Sequence, residues 1–128
     1  MAKYNVAIIE DDEDASDLIQ DYLESELNIP MCFDIFPDAN SALSVFFEQN
    51  YDLVITDFKM PGMSGLDLIK KLRESHKYAS IPVIFISGAF NTLDVASTDE
   101  TFNRVFFISK PFEAGRLAKQ VKLILLST

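Results

Sequence analysis

A chain of 128 residues, 48% of them hydrophobic, is long enough for one real core and too short for two ordinary ones, so residues 1–128 are expected to form a single domain. Its formal net charge of −9 works against direct binding of nucleic acid or anionic membranes, since both attract clustered Lys and Arg. The densest basic group, Lys70, Lys71 and Arg73, reads as a solvated helix face, and no apolar run is long enough to span a bilayer. Without a signal-peptide pattern after Met1, the expected setting is the cytoplasm.

The first apolar run, Val6 to Ile9, predicts a strand that ends at the acids Glu10, Asp11 and Asp12. Ala15, Leu18, Ile19, Tyr22 and Leu23 then recur at helical spacing, which predicts a helix buried on one side. Met31, Cys32, Phe33 and Ile35 suggest a second strand. The single Cys32 has no internal disulfide partner, and its apolar neighbours suggest a small buried side chain. After Pro37, with Asp38 as N-cap, a second helix should bury Ala39, Ala42, Leu43, Phe46 and Phe47. Leu53 to Thr56 predicts a third strand ending at Asp57, and Leu66, Ile69 and Leu72 mark a third helix. Val83 to Ile86 leads to Ser87, and Val105 to Ile108 leads to Lys110. A weak fourth helix is expected between Asn91 and Phe102. The last helix should bury Ala114, Leu117, Ala118, Val121, Ile124 and Leu125, leaving Leu123 and Leu126 off its stripe.

Short apolar runs alternating with amphipathic helices describe a parallel α/β sheet buried on both faces. Right-handed crossovers and five strands suit a flavodoxin-like, doubly wound (βα)5 sandwich with strand order 2-1-3-4-5. Strands 1 and 3 then flank the crevice where such sheets bind ligands, and the acidic trio becomes a neighbour of Asp57. Crowded carboxylates repel one another unless a cation sits among them, and hard oxygen donors favour Mg²⁺. Asp11 and Asp57 are the candidate direct ligands, with Glu10 acting through water, while Asp12, Glu13 and Asp14 favour the N-terminus of the next helix. An aspartate can also serve as nucleophile toward phosphorus. Lys110 and Ser87 would then supply an ammonium and a hydroxyl to the phosphoryl oxygens.

Taken together, Glu10-Asp11, Asp57 with Met60-Pro61 and Gly65-Leu66, Ser87, and Lys110-Pro111-Phe112 resemble the motifs of a receiver domain of two-component response regulators. The resemblance covers essentially the whole chain. It implies a phosphorelay switch in which Asp57 accepts a phosphoryl group from a sensor histidine kinase or a histidine phosphotransfer protein. It also implies Mg²⁺ held by Asp11, Asp57 and the Lys59 carbonyl. Ser87 and an inward-turning Phe107 would be the switch residues, and the fourth helix, fifth strand and last helix the face offered to a downstream target or output domain. Such a protein catalyses only its own phosphorylation and dephosphorylation and is not a metabolic enzyme. Leu123 and Leu126 point to an interface, either a homodimer or packing against an output domain. The chain stops after its last helix, as expected of a stand-alone receiver or of a fragment of a longer regulator.

Two features depart from the family pattern. The segment from Gly88 to Arg104 lacks the alanine-rich helix and the Gly-Ala pair that usually precede the last strand. Lys59 stands two residues after Asp57, at the mouth of the site. Three other readings compete with the switch. A receiver fold could work through constitutive protein contacts without phosphorylation. A Mg²⁺-dependent phosphohydrolase would want a second acid after Asp57 and a cap domain. A flavin-binding flavodoxin is disfavoured by the acidic loop after strand 1, which would repel a phosphate.

Overall fold

The computed structural model describes residues 3–58, 60, 62–88 and 103–126. Among these, strands β1 (Tyr4–Ile9), β2 (Met31–Phe36), β3 (Leu53–Asp57), β4 (Val83–Ser87) and β5 (Val105–Ser109) alternate with helices α1 (Glu13–Glu26), α2 (Ala39–Phe46) and α3 (Gly65–Arg73). The last helix, α4, is Ala114–Leu126. All the strand pairs are parallel, and the sheet order is β2-β1-β3-β4-β5. This is the predicted order, with β1 and β3 side by side. The expected fourth helix between Asn91 and Phe102, and Lys59, lie outside the described residues.

Alternation along the strands divides the core in two. Ala7, Ile9, Val54, Val83 and Phe85 face α2 and α3, packing against Ala42, Phe46, Leu68, Ile69 and Leu72. Val6, Ile8, Leu53, Ile55, Ile84 and Ile86 face the other way, toward Ile19 and Leu23 of α1 and Leu117, Val121 and Ile124 of α4. Each such fully buried aliphatic or aromatic side chain contributes roughly 1.5–3 kcal/mol relative to exposure. Because both faces are covered, the strand sequences read as continuous apolar runs.

Local signals place the helix starts. Asp12 accepts hydrogen bonds from the backbone N–H groups of Asp14 and Ala15, Asp38 from that of Ser41, and Ser64 from that of Asp67. These caps satisfy donors that would otherwise be orphaned at each N-terminus. Gly62 adopts the left-handed region, with φ 77°, in the turn that brings the chain from β3 to α3.

Arg73, expected on a solvated helix face, is half-buried and donates to the Tyr78 and Asn103 carbonyls, and three side chains depart from the expectation of burial. Cys32 is exposed, not buried, because β2 is an edge strand with β1 on one side only. Leu18 is exposed, since the stripe of α1 that meets the sheet runs through Ser16, Ile19 and Leu23. Phe47 is exposed as well: α2 ends at Phe46, and its cap residue no longer follows the helical stripe. Leu123 and Leu126 are exposed as expected.

Gly65, the first residue of α3, sits tightly against the end of β3. A Cβ there would collide with the carbonyl oxygen of Asp57 and lie 3.1 Å from Thr56 Oγ1 and 3.2 Å from Phe85. Alanine ordinarily improves a helix over glycine, but here backbone must move to admit it. Gly65→Ala should therefore destabilise the protein by about 1–3 kcal/mol, as overpacking does. Urea unfolding checks the sign, and a stabilised variant would contradict the close approach.

Candidate functional site

The carboxyl ends of the strands meet at an acidic cleft. Glu10 and Asp11 leave β1, Asp57 closes β3, Ser87 closes β4 and Lys110 follows β5. In the sheet register Asp57 pairs with Ile86, and Ser87 pairs with Ser109, so Ser87 lies one residue beyond the level of Asp57 on the neighbouring strand. The backbone N–H of Lys110 donates to the Ser87 carbonyl at 2.9 Å, which pins the start of the lysine to β4.

Carboxylate oxygens of Glu10, Asp11 and Asp57 all lie within 4.8 Å of one another. Into this group reaches the Lys110 ammonium, with Nζ 3.6 Å from Glu10 Oε2 and 3.5 Å from Asp57 Oδ2. Glu10 is 5% exposed, and burial pushes its carboxyl up from the ordinary value. The backbone N–H of Asp12, donating to Oε1 at 3.2 Å, and the nearby lysine oppose that rise. Among the described residues, the Lys110 ammonium thus stands beside a cluster of three acids. The donor set fits a further small hard cation, whose ligands in an octahedral Mg²⁺ site stand roughly 3–4 Å apart.

The family description "Response regulator receiver domain" matches residues 6–122. The chain belongs to the receiver domain family of response regulators. Similar proteins include the transcriptional regulatory protein MalR of Bacillus subtilis, 36% identical over 88% of this chain and 46% of its own length. The regulatory protein VanR of Enterococcus faecium is 31% identical over 91% of the chain and 48% of its own. Among solved structures, the receiver domain of NtrX from Brucella abortus is 28% identical, with a TM-score of 0.78 over 96% of this chain and 99% of that one. The chain spans about half the length of the curated relatives it matches. Relatives of a receiver domain such as this one are signal transducers, and no helix among the described residues is long and apolar enough to cross a membrane.

In this receiver domain the sequence-derived candidates Glu10, Asp11, Asp57 and Lys110 share one cleft, with Ser87 at its edge. Phe107 sits apart, half-buried and stacked on Phe85 at 5.6 Å between centroids, with Phe58 at 6.2 Å. It belongs to an aromatic group behind the cleft. Cys32 and His76 take no part. Two residues escaped notice as supports of Asp57. Buried Thr56 donates from Oγ1 to the Asp57 carbonyl at 3.0 Å, and Gly65 lets α3 approach that same carbonyl. The signal for Gly65 was available as a glycine directly after the N-cap Ser64, where an ordinary helix former would serve unless space were short.

If Lys110 offsets the repulsion among the acids, its loss should be felt most while Asp57 keeps its charge. In a chelating buffer Lys110→Met should destabilise by about 1 kcal/mol, a modest figure because the lysine is partly screened by solvent. Asp57→Asn in the same chain should restore part of that loss. Urea unfolding of the four proteins of this double-mutant cycle provides the check; strictly additive effects would contradict the coupling.

Proposed function

We propose that this receiver domain is a phosphorylation-dependent switch that accepts a phosphoryl group on Asp57 from a sensor histidine kinase or a histidine phosphotransfer protein, assisted by Mg²⁺. The observation that carries the reading is the Lys110 ammonium 3.5 Å from Asp57 Oδ2, beside acids whose oxygens lie within 4.8 Å. A nucleophilic carboxylate, a fixed cation and a cation-binding set are the parts phosphoryl transfer needs, since it depends chiefly on positioning and charge neutralisation.

In this reaction an Asp57 carboxylate oxygen attacks phosphorus as the bond to the donor's imidazole nitrogen breaks. The imidazole leaves with the bonding electron pair and takes up a proton. Asp11 and Asp57 would hold Mg²⁺ directly, with the Lys59 carbonyl as a further ligand and Glu10 acting through water. A bound Mg²⁺ supplies electrostatic relief for the negative phosphoryl oxygens. Lys110 orients one of those oxygens with its ammonium, and the Ser87 hydroxyl donates to another. Hydrolysis later returns the free carboxylate and inorganic phosphate. Drawing Ser87 toward the phosphoryl group and Phe107 further inward would change the surface around β5 and α4, the face proposed for a downstream protein or output domain. Exposed Leu123 and Leu126 on α4 suit such a contact, including a homodimer.

Intact-mass measurement after incubation with acetyl phosphate tests the proposal. One phosphoryl adduct is expected on the native chain with Mg²⁺, little without it, and none on Asp57→Asn. An adduct of undiminished yield on Asp57→Asn, or none on the folded native chain under any condition, would overturn it.

A further inference from the structure

At the opposite end of the sheet, where the strands begin, loops and the end of α4 line an open recess. Its volume is about 390 Å³, within the usual range for small-ligand sites. Its lining is more polar than apolar: the buried side chains of Ile81, Pro82, Ile124 and Leu125 form a small apolar floor, while exposed Lys77 and Arg104 bring cations to it. In a chain of net charge −9 this is an unusual concentration. Asp52 is the carboxylate of the lining, and its Oδ2 already accepts the backbone N–H of Asn5 at 2.7 Å.

Both cations are tethered in place. Lys77 Nζ donates to the Phe47 carbonyl at 3.1 Å and lies 5.5 Å from the centroid of the Tyr78 ring. Arg104 Nη1 donates to the Ser80 carbonyl at 3.2 Å. These bonds use only part of what an ammonium and a guanidinium can donate, and holding the side chains beforehand lowers the entropy lost when a ligand binds. Among the described residues, no carboxylate forms an ion pair with Lys77 or Arg104. Behind them, half-buried Arg73 donates to the carbonyls of Tyr78 at 3.1 Å and Asn103 at 2.8 Å. Burial and the nearness of Arg104 hold its pKa below the ordinary value. Like charges gathered this way create a positive potential that attracts an anion.

The backbone gives an independent sign. Arg104 has φ 58°, a left-handed conformation that glycine adopts freely and a branched or long L-residue adopts at a steric cost. It stands where the departure from the family's Gly-Ala pair occurs, directly before β5. Backbone strain retained at one position points to a use for the side chain that it carries.

We propose that this recess binds a small organic anion, a phosphate or carboxylate on a flat apolar body. Arg104 and Lys77 take the anionic group, and Ile81, Pro82, Ile124 and Leu125 receive the apolar body. The site shares no residue with the acidic cleft, so its test is separate from that of phosphorylation.

The test is a titration followed by two-dimensional amide NMR, with phenyl phosphate in one arm, benzoate in another and sodium chloride at equal ionic strength as control, all in EDTA. Saturable shifts at residues 76–82 and 104 with either organic probe are expected, and the tighter arm identifies the anionic group. Arg104→Gly, which relieves the left-handed backbone, and Lys77→Gln should each weaken binding about tenfold, the cost of one charge-assisted hydrogen bond. Thermal melts should show both variants folded. Shifts no different from those with sodium chloride, shifts confined to the acidic cleft, or undiminished binding in both variants would overturn the proposal.

Discussion

Everything at the carboxyl end of the sheet depends on how Lys110 reaches its partners. Its backbone leaves β5, which is separated from β3 by the whole of β4, and adjacent strands stand about 4.8 Å apart. The gap of roughly two strand spacings is therefore closed from both sides, by the long lysine stem and by the Asp57 carboxylate reaching toward it, leaving 3.5 Å between Nζ and Oδ2. The Lys110 N–H bond to the Ser87 carbonyl fixes where the stem begins. At the other end, Nζ rests between Glu10 and Asp57. One side chain thereby ties three strand ends together and offsets charges that would otherwise force them apart.

The residues behind that arrangement are closely packed. The Asp57 carbonyl is held by Thr56 on one side and approached by α3 at Gly65 on the other, while Phe58, Phe85 and Phe107 fill the space beneath in edge and stacked contacts. A carboxylate intended to react is positioned best on a rigid element with locked neighbours. The opposite end of the sheet has the converse charge. There the backbone and side chains of loops bring Lys77, Arg73 and Arg104 near one another, so three clustered acids stand at the carboxyl end of the sheet and a group of cations at the other.

Most of this was legible in the residues. The apolar runs before Glu10, Asp57, Ser87 and Lys110 located four strand ends, and the doubly wound order made β1 and β3 neighbours, so residues remote in the chain could be assembled into one cleft. Helix periodicity found α1 to α4 but misjudged which side chains they bury. Leu18 and Phe47 fit the spacing and are nonetheless exposed, because spacing defines a face and not its exact angle or where the helix stops. Cys32 was misjudged for a different reason. The expected order already put its strand at the sheet edge, but its apolar neighbours did not reveal how little that edge strand is covered. The recess at the far end could not be read at all, since it is built from the loop before β3, the turn after α3, one left-handed arginine and the end of α4. Apart from the stripe of α4, none of these carries a periodic signal.

In the proposed switch, Lys110 holds a phosphoryl oxygen on Asp57. Beryllium fluoride, added with Mg²⁺, mimics an aspartyl phosphate, and its fluorines report their surroundings directly by fluorine NMR. Bound resonances are expected on the native chain, absent on Asp57→Asn, and either displaced or lost on Lys110→Met as the fluorine facing the ammonium loses its partner. A bound spectrum on Lys110→Met identical to that of the native chain would contradict the claim.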